Sequence, residues 1–239
     1  TNLDLSTKKT AEKKIELSQF FTPKRIASYM VSLFPNSDGL CRLLDAGAGT
    51  GSLSSAFLEL WNLGQLNFKH VELDAFEIDQ NLIAHLEPML RQHKKKSSFV
   101  PRVKSSDFIH AASDWLSGNL FADPLPQYTH ILLNPPYKKI NSNSNHRLAL
   151  RRVGIETVNL YSAFVALSIE LAAPGGHIVA IIPRSFCNGP YYRSFRQLIL
   201  KQTAIHHIHL FQSRSKAFKD DEVLQENIII HLERSGQQG

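Results

Sequence analysis

Asn134-Pro135-Pro136-Tyr137 brings together three groups that can act on one small target. They are a side-chain amide oxygen, a main-chain carbonyl held by two prolines of fixed φ, and an aromatic face. An amino group on a flat heteroaromatic ring needs all three if it is to become a nucleophile. Its lone pair is delocalised into the ring. Acceptors placed on its N–H bonds draw the nitrogen toward tetrahedral geometry and favour the positive charge that grows as it attacks. A structural turn at a strand end is the plain alternative. The apolar run Ile131-Leu132-Leu133 just before the tetrad reads as a buried strand, and ligands in open α/β sheets bind at that edge.

A second constellation lies upstream. Asp45-Ala46-Gly47-Ala48-Gly49-Thr50-Gly51 follows an apolar run and opens a helix. Its glycines allow a tight turn and a close backbone approach to a ligand. The spacing is Gly-x-Gly-x-Gly, not the dinucleotide Gly-x-Gly-x-x-Gly, and no Gly-Lys-Ser/Thr follows as in a phosphate loop. Asp45, two residues before the first glycine, suits a ligand carrying positive charge, such as a sulfonium or ammonium group, and repels a pyrophosphate. Glu77, with Ile78 beside it, ends the next apolar run and can accept two ribose hydroxyls; a surface carboxylate is the alternative. Asp107-Phe108 ends a third run and could receive an adenine amino group beside an aromatic wall. Three acids at successive strand ends around a glycine turn point to an adenosyl ligand.

These residues need a scaffold that aligns strand ends. Strands are expected at residues 40–45, 71–77, 103–107, 129–134 and 177–183. Helices are expected from Thr22-Pro23, with Thr as N-cap and Pro at the first helical position, and at residues 53–63, 81–93, 159–173 and 190–202. Strands alternating with helices imply a Rossmann-like, doubly wound, mostly parallel sheet. Two last strands, at residues 205–211 and 226–233, arrive with no helix between them. The expected fold class is therefore α/β, a seven-stranded sheet closed by a C-terminal antiparallel hairpin.

The chain has 239 residues, 43% of them apolar and 20% charged, which suits one domain with a substantial core. Residues 1–18 read as a polar extension and residues 19–239 as the folded domain. The formal charge of +6 favours a polyanionic partner. Lys138, Lys139, Arg147, Arg151 and Arg152 follow the tetrad with no acid through residue 155, around a polar Asn141-Ser142-Asn143-Ser144-Asn145 stretch. A mobile basic loop there would contact a nucleic-acid backbone; a solvated loop is the alternative. Lys94-Lys95-Lys96 reads as a solvated helix end. Two cysteines make no framework and indicate a reducing, cytoplasmic setting. No membrane span or signal peptide is recognisable. His206-His207-x-His209 lacks the further ligands a metal would need, and alternating strand histidines are more often surface-facing, so no metal is expected. The start on Thr1 and the polar end at Ser235-Gly236-Gln237-Gln238-Gly239 suggest a piece of something longer.

With these motifs in this order, the chain resembles the S-adenosylmethionine-dependent DNA adenine-N6 methyltransferases whose cofactor motif precedes the catalytic one (the gamma order). The resemblance covers nearly the whole chain and is nearest to enzymes built into restriction-modification polypeptides. It implies that Gln19-Phe20-Phe21-Thr22-Pro23 closes over the methionine part of the cofactor and that residues 45–51 form the glycine motif. Glu77 is then the ribose acid and Asp107-Phe108 the adenine contact. Asn134-Pro135-Pro136-Tyr137 becomes the catalytic motif, with Tyr137 stacking on a base flipped out of double-stranded DNA. Asn159-Leu160-Tyr161-Ser162-Ala163-Phe164 supplies Phe164 at that base's edge, although an aromatic on a helix is as readily a core residue. Members that read DNA carry a separate recognition domain, and here the sequence stops where it should begin. A recognition or nuclease module is thus an expected partner in a longer polypeptide. The same tetrad also serves protein glutamine-N5 and RNA adenine methylation. The glutamine enzymes carry a helical domain before the glycine motif, in place of the Phe20-Phe21-Thr22-Pro23 found here.

Overall fold

The computed structural model describes residues 22–93, 98–211 and 226–236. The 1–18 extension, Gln19-Phe20-Phe21, Lys94-Lys95-Lys96 and the last three residues lie outside them. Helix α1 (Lys24–Ser32) precedes β1 (Gly39–Ala46), α2 (Ser52–Asn62), β2 (Phe68–Phe76) and α3 (Gln80–His93). Next come β3 (Phe99–Lys104), α4 (Phe108–Leu116), β4 (Tyr128–Leu133), α5 (Asn145–Arg152) and α6 (Leu160–Leu171). The chain closes with β5 (Ala172–Pro183), a 3-10 turn (Arg184–Cys187), α7 (Arg193–Gln202), β6 (Thr203–Leu210) and β7 (Asn227–Arg234).

The seven strands form one sheet in the order β3-β2-β1-β4-β5-β7-β6. Pairings among β1 to β5 are parallel, and β7 runs antiparallel between β5 and β6. This is the expected mostly parallel sheet with a terminal hairpin, except that the hairpin's second strand inserts beside β5 and sends β6 to the edge.

Strand side chains alternate between faces, and the core divides accordingly. Leu44, Ile131, Leu133, Ile178 and Ile230 pack with residues of α4, α5, α6 and α7. Leu43, Leu73, Leu132, Val179 and Ile229 pack with α1, α2 and α3. Each such side chain, fully buried, is worth about 1.5–3 kcal/mol against exposure. Strands covered on both faces read as continuous apolar runs, which is why 40–45 and 129–134 are visible in the sequence.

The structure differs from expectation in several elements. β3 covers Phe99–Lys104 and not 103–107; it takes in Pro101 because it is an edge strand, where a missing N–H is tolerated. Asp107 consequently does not end a strand. It caps α4, a helix not anticipated, by accepting from the His110 backbone N–H at 3.0 Å. Thr22 is not the cap of α1; Pro23 holds that position in an extended conformation. Pro174-Gly175-Gly176, just past the helix expected at 159–173, belongs to β5, and a register shift against β4 absorbs the irregularity. The stretch after the tetrad is partly ordered, since it contains α5.

Candidate active site

The tetrad follows β4 directly, beside the end of β1. Leu133 carries the chain out of the core, Pro135 is buried and Asn134 half-buried. The Asn134 amide nitrogen donates to Thr22 Oγ1 at 2.9 Å, so a residue 112 positions away in sequence sets the direction of the amide. The amide oxygen is thereby turned to act as an acceptor, and the Tyr137 hydroxyl donates toward it at 3.4 Å. That hydroxyl also approaches the Ile181 carbonyl at 3.4 Å, and burial pushes its pKa up. The Tyr137 ring meets Tyr161 edge-on, with centroids 6.2 Å apart.

Immediately past the tetrad the backbone is pinned. Ile140 N donates to Val158 O and Leu160 N to Lys138 O, both at 2.8 Å, around a bridge between Lys139 and Asn159. The loop therefore starts from a fixed base against α6. Ser144 then caps α5 by accepting from Arg147 N.

The glycine turn is shaped by its backbone. Gly47, Gly49 and Gly51 have φ of 80°, 58° and 87°. These lie in the left-handed region, where other residues are strained. At Gly51 a Cβ would also collide with the side chains of Met89 and Leu86. Gly47 and Ala48 donate to the Phe76 carbonyl at the end of β2, at 3.0 and 2.8 Å. Glu77, buried, completes the turn: Oε2 accepts from Gly49 N at 2.9 Å, and Oε1 accepts from Ile78 N and Asp79 N, both at 2.8 Å.

Asp45 departs from its expected place. It is 1% exposed and lies behind the turn, where Oδ2 accepts from Ser54 N and Ser54 Oγ in the first turn of α2. Oδ1 has no hydrogen-bond partner among the described residues. Burial pushes its pKa up to about 6, against the lowering effect of the Ser54 bonds. Asp45 holds the turn onto α2; it does not line the cavity.

A cavity of about 390 Å³ joins these elements, within the range of small-molecule sites. Thr22, Asn134 and Pro136 line it, as do the glycine turn, Glu77, Ile78, Phe108 and Phe164. Phe164 is buried, its ring centroid 5.0 Å from that of Phe108, and it stands where a side chain on Gly47 would meet it. It is thus a wall at the glycine-turn end of the cavity, and among the described residues it is Tyr161 whose ring meets Tyr137.

Asp107 also lines the cavity, and a residue the sequence reading passed over holds it. His146, on α5, pairs through Nε2 with Asp107 Oδ2 at 2.9 Å. The Asp107 bond raises the His146 pKa against the pull of burial. Burial alone would raise Asp107, but bonds from His146 and the His110 backbone hold it below the usual carboxylate range. A histidine one residue into a Ser-capped helix was the available signal. The raised histidine contributes stability that is complete below pH 6.5 and lost as pH climbs through its folded pKa. The lowered aspartate contributes stability present above pH 3.8 and lost on acidification. The stability difference between wild type and His146→Ala, measured by denaturant titration, should therefore peak between pH 4 and 6.5 and shrink above neutrality. A flat difference across pH would refute the pairing.

The basic residues divide. Lys138 and Lys139 are exposed and border the cavity. Arg147 is buried and ion-paired with Glu156, so it is not presented to a phosphate. Arg151 pairs with Glu156 at 3.0 Å and Arg152 with Asp114 at 2.8 Å. Arg147 and Arg151 lie four residues apart on one helical face and converge on an acid one position beyond the acid-free stretch.

The family model described as Eco57I restriction-modification methylase matches residues 52–218. Type II methyltransferase M.BsuBI of Bacillus subtilis is 53% identical over 225 residues, covering 92% of this chain and 44% of the relative. Type II methyltransferase M.PstI of Providencia stuartii is 41% identical over 222 residues, covering 91% and 43%. The chain thus spans less than half the length of these curated relatives. Among solved structures, the type I restriction-modification system methyltransferase subunit from Streptococcus thermophilus shares the fold at a TM-score of 0.63 and 15% identity, over 92% of this chain and 47% of that one.

Proposed function

The chain belongs to the Eco57I restriction-modification methylase family, and from that premise we propose that residues 19–239 are the catalytic module of a DNA adenine-N6 methyltransferase. The methyl donor is S-adenosylmethionine and the acceptor an adenine flipped out of double-stranded DNA, within a restriction-modification system. A recognition or nuclease module is the further partner in the whole polypeptide. The observation that carries the reading is the bond from Asn134 Nδ2 to Thr22 Oγ1. It turns the amide so that oxygen is the group available to an incoming amine.

The cavity fits the cofactor. Glu77 offers a carboxylate already fixed by three backbone donors, the glycine turn lets the ligand approach main chain, and Phe108 and Phe164 provide aromatic surface. When bound, S-adenosylmethionine supplies an electrophilic methyl group on a sulfonium. Asn134 Oδ1 and the Pro135 carbonyl accept the adenine N6–H bonds and stabilise the charge growing on nitrogen. Tyr137 stacks on the base, recovering about 1–3 kcal/mol of the few kcal/mol spent in unstacking it. Thr22 ties the cofactor end to the base end through Asn134. Lys138 and Lys139 contact phosphates beside the flipped nucleotide.

The test is transfer of labelled methyl from the cofactor to mixed-sequence duplex DNA, followed by digestion to nucleosides. The expected product is N6-methyladenosine's deoxy form. Label in methylcytosine, in RNA alone, or in protein as N5-methylglutamine would overturn the assignment.

A further inference from the structure

Among the described residues two groups of three or more His, Cys, Asp or Glu side chains come close enough to share an ion. One, Asp107, His110 and His146, belongs to the cavity. The other, His177, His206 and Glu233, lies on the opposite part of the sheet, and the catalytic reading leaves it without a purpose.

Its construction depends on the antiparallel end of the sheet. His177 on β5 stands directly opposite Glu233 on β7. His231, two residues before Glu233, faces the same side. β6 shifts register between Ile205 and His207, so His206 is an inserted residue; such bulges re-aim a side chain. The result is three imidazoles and a carboxylate from three strands. His206 Nε2 stands 2.6 Å from Glu233 Oε2, and His177 Nδ1 stands 3.0 Å from His231 Nε2. The His206 and His231 rings have centroids 5.2 Å apart. The ligand atoms of His177, His206 and Glu233 all fall within 4.8 Å of one another.

We propose that His177, His206, His231 and Glu233 form a binding site for a divalent transition ion, Zn²⁺ by its donor set. Nitrogen and carboxylate donors in a four-coordinate set suit that ion. Tetrahedral bonds of about 2.0–2.1 Å place ligand atoms about 3.4 Å apart; His177, His206 and Glu233 already converge within 4.8 Å, and His231, outside that trio but 3.0 Å from His177, turns to complete the set. The ion takes the place of the hydrogen bonds that now link His177 to His231 and His206 to Glu233, each imidazole binding through a nitrogen that carries no proton. His206 is exposed and His231 buried, which gives the ion an entry side and an anchored side. The role is structural: the ion fastens β6 and β7 to β5. His177 pairs with His130 near the start of β4, whereas Asn134 follows that strand's other end. No spacing within β6 shows this set, because its other ligands come from β5 and β7.

The experiment uses untagged protein stripped with chelator and titrated with Co²⁺ and with Zn²⁺. One ion per chain should bind, Co²⁺ should give the intense visible absorption of tetrahedral coordination, and Zn²⁺ should raise the thermal midpoint. His206→Ala and Glu233→Gln should each weaken binding at least about tenfold and leave methyl transfer unchanged. His146→Ala should bind as wild type does. Absence of the tetrahedral Co²⁺ spectrum, or equal binding by wild type, His206→Ala and Glu233→Gln, would overturn the site.

Discussion

Asn134→Ala should lower the rate of methyl transfer by about 10²–10³ or more, the cost of removing one preorganised polar group from a developing charge. In the structure its nitrogen donates to Thr22 Oγ1 and its oxygen is approached by the Tyr137 hydroxyl; in the proposed reaction that oxygen accepts from the incoming amine. Alanine removes both. Thr22→Val isolates the first, because it keeps the side-chain shape and removes the Thr22 hydroxyl that accepts from Nδ2. It should allow the amide to turn and slow transfer by about tenfold, one lost hydrogen bond of about 1.4 kcal/mol. Single-turnover assays with labelled cofactor separate these effects from binding. Cofactor affinity in Asn134→Ala should move only a few-fold, through the released Thr22. An Asn134→Ala single-turnover rate within tenfold of wild type would remove Asn134 from the chemistry.

The tetrad and the sheet were legible in the sequence for a shared reason. Strands buried on both faces must be apolar throughout, so their ends mark where polar residues first appear, and Asn134 and Glu77 each follow such an end. Asp107 lines the cavity, but from a helix cap and not from a strand end. Its local role as a helix cap is set by Phe108 and Ile109 turning inward toward α6, a tertiary matter. Asp45 shows the same limit: nothing in Asp-x-Gly-x-Gly says whether the carboxylate faces the ligand or, as here, the next helix. The arginines of α5 looked available because Glu156 lies one residue past the acid-free stretch and Asp114 lies on another helix. Partners brought in by packing leave no trace in local composition. The cross-strand histidines were hidden in the same way.

Glu77→Ala should weaken cofactor binding by about 10²–10³, with far less effect on the rate at saturating cofactor. Three backbone N–H groups, those of Gly49, Ile78 and Asp79, donate to a carboxylate that is 6% exposed. Removing the acceptor leaves these donors unpaired, at about 1–3 kcal/mol for each buried group that water does not reach. The glycine turn then loses the contact that holds Gly49 against β2, and in the proposed complex the ribose loses its acceptor. Even two such losses amount to about 3–4 kcal/mol, two to three decades of affinity. Glu77→Gln divides the effect between the two oxygens. If the amide oxygen stays on the Ile78 and Asp79 donors, its NH₂ group meets the Gly49 N–H, donor against donor, and the glycine turn bears the loss. Its affinity should fall about tenfold, for one charged hydrogen bond, between wild type and alanine. Calorimetric titration of the cofactor with all three proteins measures this order directly. Affinity in Glu77→Ala within threefold of wild type would mean that the carboxylate serves only the turn and that the ribose is held elsewhere.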